Sequence, residues 1–331
     1  MHIPDNYLSP STCAVLGTAM VPVWAVSVKK VKAEIPKEKI QLLGIGAAFS
    51  FLGMMFNIPL PGGTTGHAVG GTLIAALCGP YAACISVTIA LLVQALLFGD
   101  GGILAFGANC FNMAFVLPFV GYMVAQVFKH YLKGKHADSI AYGIGAYFGI
   151  NAAALCAAIE FGVQPLLFTD AAGKALYCPY PLGVAVPAMM IGHLTVFGAA
   201  EVIFTVAVLV FMKKAAPDTP YVKKSHAVRP VYLLLTALIV LTPLGLLATG
   251  TAWGEWGMDE IAEVVSGGKA LGYTPAGMAD GMDFSALFPD YTVAGMPEWL
   301  GYILSAVIGA ALVIIIFKLI GSFKKSKVDF D

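Results

Sequence analysis

The chain has 331 residues, 59% of them hydrophobic and only 11% charged, with a mean hydropathy of +0.83. A soluble domain carries roughly 25% charged and about 45–50% apolar residues, so this chain cannot hide its apolar side chains inside a water-soluble shell. The 19 basic and 19 acidic side chains cancel, which excludes a nucleic-acid binder, in need of a basic surface, and a disordered chain, in need of high net charge. The bilayer is the solvent.

In chain order, the tail Met1–Pro10 precedes a first apolar run over 12–28. A cleaved signal peptide places positive charge before its apolar run, whereas Lys29, Lys30 and Lys32 follow this one. The tail is therefore expected to be retained on the outer face. Further runs cover 40–56, 81–98, 107–128, 139–164, 184–212, 230–252 and 298–320, each near the ~20 residues that span a hydrocarbon core. Between Gly66 and Pro80, Ala68 to Cys78 is too short to span alone and too apolar for a loop. It reads as a short helix entering partway, so the fold class is all-α and polytopic, with about nine helical segments.

The basic residues fall in four clusters: Lys29 to Lys39, Lys129 to Lys135, Lys213 to Arg229, and Lys318 to Lys327. Only Lys174 and Lys269 lie elsewhere. Nine crossings put all four clusters on one side, and the positive-inside rule makes that side cytoplasmic. The amino terminus then lies outside, the carboxyl terminus inside, and the location is the cell membrane. Residues 1–212 form a core of about seven helices, 213–228 a charged cytoplasmic linker, and 229–331 a two-helix unit with an outer loop over 253–297. That loop carries Glu255, Asp259, Glu260, Glu263, Asp280, Asp283 and Asp290 against Lys269. It is either a solvated acidic loop or an attractor for cations.

Cys13, Cys78, Cys84, Cys110 and Cys156 lie in apolar runs and Cys178 in a polar stretch, without a C-x-x-C pair. They read as small buried hydrophobes, not as a disulfide frame or a zinc site. Polar residues stand where lipid would be: His67, Gln94, Asn109, Asn112, Asn151, Glu160, His193 and Glu201. Each is a functional candidate, with helix packing as the alternative for the asparagines and Gln94. For Glu160 and Glu201 the sequence names no partner.

Asn57-Ile-Pro-Leu-Pro-Gly-Gly-Thr-Thr-Gly-His67 cannot be a regular helix through Gly66, so its backbone must line a cavity or reach water. His67 is expected to begin the short third helix. Alone, it would more often be a packed residue than a ligand. The opening Met1-His2-Ile3-Pro4-Asp5 changes its company. A histidine at position 2 offers the terminal amine, its own backbone amide and its Nδ1 in one plane, closing a five- and a six-membered chelate ring. Planar nitrogen sets suit Ni²⁺ or Cu²⁺, whereas zinc favours tetrahedral sites and magnesium or calcium favour oxygen. His67 would supply the fourth nitrogen.

Met1 to Pro10, Asn57 to His67, Gln94-Ala-Leu-Leu-Phe-Gly-Asp-Gly-Gly102 and Gly107-Ala-Asn-Cys-Phe-Asn-Met113 closely resemble the CbiM/NikM family over about residues 1–212. The resemblance implies the substrate-binding (S) membrane component of an energy-coupling-factor importer for nickel or cobalt. Its metal site would be carried by the Met1 amine, His2 and His67. Asn57, Gln94, Asn109, Asn112, His193 and Glu201 would be supporting or gating residues, with Gly192-His193 and Glu201 in the family's last core helix. Residues 229–321 resemble the small NikN/CbiN component, although its Pro-Asp-Gly-Leu-Glu motif is missing and Phe288-Pro-Asp-Tyr291 is the nearest echo. The opening residues lean towards nickel-type members.

The chain has no Gly-x-x-x-x-Gly-Lys-Ser/Thr loop. It is therefore not expected to be an enzyme or to use a catalytic cofactor; Ni²⁺ or Co²⁺ would be cargo. Energy would come from partner ATPase (A) subunits through a membrane coupling (T) protein. The alternative is a secondary transporter for a metal or small organic solute, which usually shows paired halves with broken helices in matching places. Only one broken segment is visible here. A membrane enzyme built on His67 and nearby carboxylates lacks a nucleophile constellation. Copper should outbind nickel at planar nitrogen, so its exclusion is not legible in the residues.

Overall fold

A computed structural model describes residues 1–36, 40–60, 63–215, 229–266 and 269–323. Most of the expected linker, from residue 216, lies outside these residues, as do Lys37, Lys39, Lys223, Lys224, Lys324, Lys325 and Lys327 of the basic clusters.

Among the described residues seven helices are long and apolar enough to cross a membrane: α1 (Pro10–Glu34), α4 (Pro80–Phe98), α5 (Phe106–Tyr131), α6 (Ala137–Leu167), α7 (Leu182–Lys214), α8 (Arg229–Leu247) and α9 (Glu298–Ser322). Two shorter ones, α2 (Ile40–Met54) and α3 (Gly71–Cys78), complete the nine expected segments. The chain is a multi-pass membrane protein. All six cysteines are free thiols.

Local chemistry sets the helix ends. Ser9 caps α1 by accepting from the Thr12 amide at 3.1 Å, and Pro10 occupies the first turn, where its missing N–H costs nothing. Helix α3 starts later than expected. Gly70 takes a left-handed φ of 74°, so His67 sits in the connection before the helix rather than at its start. The proline- and glycine-rich stretch before it folds into a small antiparallel hairpin, β1 (Ile58–Leu60) with β2 (Thr64–Gly66), Pro59 opposite Thr65. The pairing satisfies backbone groups that have no helix to join.

Close backbone approach holds the helices together. A Cβ on Gly145 would lie 2.2 Å from the Gly121 carbonyl oxygen, and one on Gly149 2.5 Å from that of Leu117. The small-residue spacing of α6 thus serves its antiparallel seam with α5. A second seam joins α2 to α9: a Cβ on Gly44 would meet the Ile314 Cα at 3.1 Å, and one on Gly309 the Phe51 ring at 2.0 Å. Helix α2 is buried along almost its whole length.

Contacts also fix which helix ends coincide. Lys129 at the end of α5 and Lys213 at the end of α7 both reach Asp138 near the start of α6, at 2.9 and 3.2 Å. Lys30 lies over the Tyr81 ring, bringing the end of α1 to the start of α4, and Gly321 of α9 abuts Ile40. The described members of all four basic clusters therefore share one end of the bundle. At the other end the tail meets the end of α4 and the start of α5. The chain has changed ends four times between Pro10 and Phe98, and short α3 counts as one of the four.

Among the described residues three helices contain a π-helical turn: Gln94–Phe98, Cys110–Val116 and His193–Phe197. Such turns are rare and concentrate at functional sites. Each begins at, or one residue after, a polar residue singled out above: Gln94, Asn109 and His193.

Candidate metal centre

The tail folds inward and is held by backbone hydrogen bonds that its sequence invites. Asn109 accepts from the Ile3 amide at 2.8 Å and donates to the Ile3 carbonyl at 3.0 Å, and the Gly102 amide donates to the same carbonyl at 2.8 Å. The Asp5 carboxylate accepts from the Ile103 and Leu104 amides at 3.0 and 2.7 Å. These charge-assisted bonds are the stronger kind. The Tyr7 carbonyl accepts from the Cys178 amide at 3.0 Å, and the Ser9 amide donates to Gln164 at 3.0 Å. Met1, His2, Ile3, Tyr7, Leu8 and Ser9 are all buried. Gly102 is required by closeness: a Cβ there would lie 2.4 Å from the Asp5 amide nitrogen.

This brings His2 Nδ1 to 3.2 Å from His67 Nε2, with ring centroids 5.0 Å apart. The His67 Nδ1 contacts the Ala68 carbonyl at 3.3 Å, which places the ring proton on Nδ1 and turns the Nε2 lone pair towards His2. Two residues on, the buried Glu201 carboxylate of α7 accepts from the Val69 amide at 2.7 Å and the Gly70 amide at 3.0 Å. Glu201 thus fixes the backbone that carries His67. His193 is buried beside Phe197, its Nδ1 2.8 Å from the Met189 carbonyl, and with Met1 it lines a small cavity next to the site.

Asp100 Oδ1 lies 3.0 Å from His2 Nδ1. Its Oδ2 accepts from the Tyr291 hydroxyl and, at 2.9 Å, from Gln94 Nε2. The Met1 amine pairs with Glu255 at 2.9 Å. Burial lowers the His2 imidazole to about 4, offset in part by the Glu255 charge. The ring is therefore neutral and able to ligate at neutral pH. Burial raises the Asp100 carboxyl, and the Tyr291 and Gln94 donors oppose that rise. Above the histidines opens a cavity of about 560 Å³, lined among others by Asn57, His67, Asp100, Glu255, Asp290 and Tyr302. Among the described residues no group of three or more His, Cys, Asp or Glu side chains is arranged to hold a metal ion.

Of the candidates, Met1, His2, His67, Asn57, Gln94, Asn109, His193 and Glu201 thus gather at one end of the bundle. Asn112 stands apart, donating to Glu160 at 2.8 Å, and that pair supplies the partner the sequence could not name for Glu160. Asn151 donates to the Tyr147 carbonyl within its own helix. Sequence reasoning missed the roles of Asp5 and Asp100, although both lie in the quoted motifs. It also missed Glu255 and Tyr291, whose approach to the tail is purely tertiary.

A family model described as the cobalt uptake substrate-specific transmembrane region, CbiM, matches residues 2–219, and a PDGLE domain model matches residues 229–326. The chain is 52% identical to a probable fused nickel transport protein, LarMN, of Lactiplantibacillus plantarum, over 96% of this chain and 97% of that one. It is 47% identical to the fused nickel transport protein NikMN of Rhodobacter capsulatus, over 95% of both. A solved crystal structure of a transition metal transporter is 55% identical, covers 66% of this chain and 95% of its own, and superposes with a TM-score of 0.62.

Proposed function

The chain belongs to the CbiM family and is a nickel/cobalt transport protein of the CbiM/NikMN type with a PDGLE domain at its carboxyl end, and from that premise we propose that it captures its metal in a plane of four nitrogens. These are the Met1 amine, the His2 backbone amide, His2 Nδ1 and His67 Nε2. The observation that carries the reading is the 3.2 Å approach of His2 Nδ1 to His67 Nε2 at the end of a fully docked tail. A hydrated Ni²⁺ or Co²⁺ enters through the cavity and exchanges its water for the nitrogens. The amine must leave Glu255 and lose its proton, and the amide must ionise, so binding releases protons. The tail is pre-organised for this, because Asn109, Asp5 and Gly102 already fix its backbone.

Residues 1–212 act as the capturing unit and 229–331 as an appended unit that roofs the site. The metal-binding end faces outward and the lysine-rich end faces the cytoplasm. As the S component of an energy-coupling-factor importer, the chain takes its driving force from partner ATPases through a coupling membrane protein. Inserting one residue between Met1 and His2 tests the site, because it keeps the histidine but spoils the chelate. Metal uptake should be lost, and uptake at the unmodified rate would reject the four-nitrogen plane.

A further inference from the structure

Residues 289–291, within the PDGLE-type unit, read Pro-Asp-Tyr. Asp290 and Tyr291 both adopt left-handed backbone, with φ of 50° and 61°. Glycine takes that conformation freely, whereas an L side chain adopts it against steric cost and persists there only when its surroundings over-determine it. Tyrosine at such a position gains something that glycine would not supply.

The gain is a hydroxyl delivered into the metal site. The Tyr291 ring is buried, stacked on Phe98 with centroids 4.8 Å apart and edge-on to Tyr302 at 5.4 Å. Its carbonyl accepts from Ser305 at 2.9 Å. Held in this way, the hydroxyl donates to Asp100 Oδ2 and accepts from Gln94 Nε2 at 2.8 Å. Asp100 therefore has two donors on Oδ2, while its Oδ1 faces His2 Nδ1 at 3.0 Å. We propose that Tyr291, contributed by the PDGLE-type unit, is a positioning residue of the metal site that acts through Asp100.

The inference rests on the four-nitrogen reading. A divalent ion bound to two imidazoles, a neutral amine and one ionised amide keeps a single positive charge, and a buried charge needs a partner. Asp100 stands beside the ligand edge of His2 and supplies it. Tyr291 and Gln94 keep that carboxylate aimed. The second unit thereby sets how strongly the first one holds its metal.

The test uses the full chain in nanodiscs, with Ni²⁺ titrations and visible absorption of the bound ion, for Tyr291→Phe, Asp100→Ala, the double variant and His67→Ala. Tyr291→Phe keeps the stacked ring and removes only the hydroxyl. It should weaken Ni²⁺ binding about tenfold, the scale of one charge-assisted hydrogen bond, and shift the Ni²⁺ absorption band. In the Asp100→Ala background the same substitution should add nothing, as a double-mutant cycle requires of residues acting in series. Unchanged affinity and band in Tyr291→Phe, or a penalty that persists without Asp100, would overturn the proposal. Wild-type Ni²⁺ affinity in His67→Ala would instead overturn the four-nitrogen plane.

Discussion

Gly102→Ala probes the tail's docking without touching a ligand. The added Cβ would lie 2.4 Å from both the amide nitrogen and Oδ1 of Asp5, and 2.8 Å from its Cα. To reach ordinary contact the tail must retreat by about 1 Å. That retreat stretches the two bonds to the Asp5 carboxylate and the Gly102-to-Ile3 bond beyond useful length. Bonds to a charged group are worth roughly 1.5–3 kcal/mol and a neutral one about 1. Allowing for partial relaxation, docking should weaken by about 3–4 kcal/mol, which lowers metal affinity by roughly 10²–10³-fold. Calorimetric titration of the purified chain with Ni²⁺ measures this. Gly183→Ala is the control, because a Cβ on Gly183 meets nothing within 4 Å. An affinity for Gly102→Ala within about threefold of wild type would show that the docked tail is not needed to form the site.

Other expectations follow the same logic. The docked His2 has a pKa near 4 and the released one near 6.5, so the released tail binds more protons in that window. Docking should weaken as pH falls from about 6.5 to 4, by roughly 3 kcal/mol in total. Hydrogen exchange of the tail amides, corrected for intrinsic rates, reads this, and equal protection at pH 7 and pH 5 would contradict it. Glu201→Gln loses the charge on the acceptor for the Val69 and Gly70 amides and should weaken Ni²⁺ binding about tenfold through His67; an unaltered calorimetric affinity would remove Glu201 from the site. Gly309→Leu forces a side chain into the Phe51 ring and should cost about 1–3 kcal/mol, seen as a lower unfolding temperature, while an unshifted transition would mean that the α2–α9 seam repacks freely. Removing 229–331 should leave metal bound at reduced affinity, and complete loss would show that the two units are one site.

Nine segments were legible because the bilayer imposes length and apolarity on each crossing. Even α3 could be read, since Gly79-Pro80 ends its apolar run. The hairpin of β1 and β2 was not, because prolines and glycines announce only that a helix is impossible. What replaces the helix depends on distant residues: a Cβ on Gly245 would meet the Met55 carbonyl, and the Trp253 amide donates to Thr64. His67 was displaced from its expected helix start by Gly70 and by the hold of Glu201 on the Val69 and Gly70 amides, 132 and 131 positions away in the chain. The acidic loop divides in a way composition cannot foresee. Glu255 and Asp290 line the cavity, whereas Asp259, Glu260, Glu263, Asp280 and Asp283 lie on the surface. Tyr291 stood out in the sequence only as part of the nearest echo of a missing motif, and its value emerges from a side chain that reaches Asp100.

The docked tail also fixes an order of events during synthesis. The tail is made early, yet its partners include Asn109, Gln164, Cys178 and Glu255, and Tyr291 reaches it through Asp100. At about 5–20 residues per second, Tyr291 leaves the ribosome roughly 15–60 s after His2. The tail's partners between Gly102 and Cys178 are made earlier in that interval, whereas Glu255 and Tyr291 come late. A nascent chain released early would carry both histidines and most of the helices, yet lack the groups that receive the amine and steady Asp100. Completion of the site thus waits until translation has passed Tyr291 in the second unit.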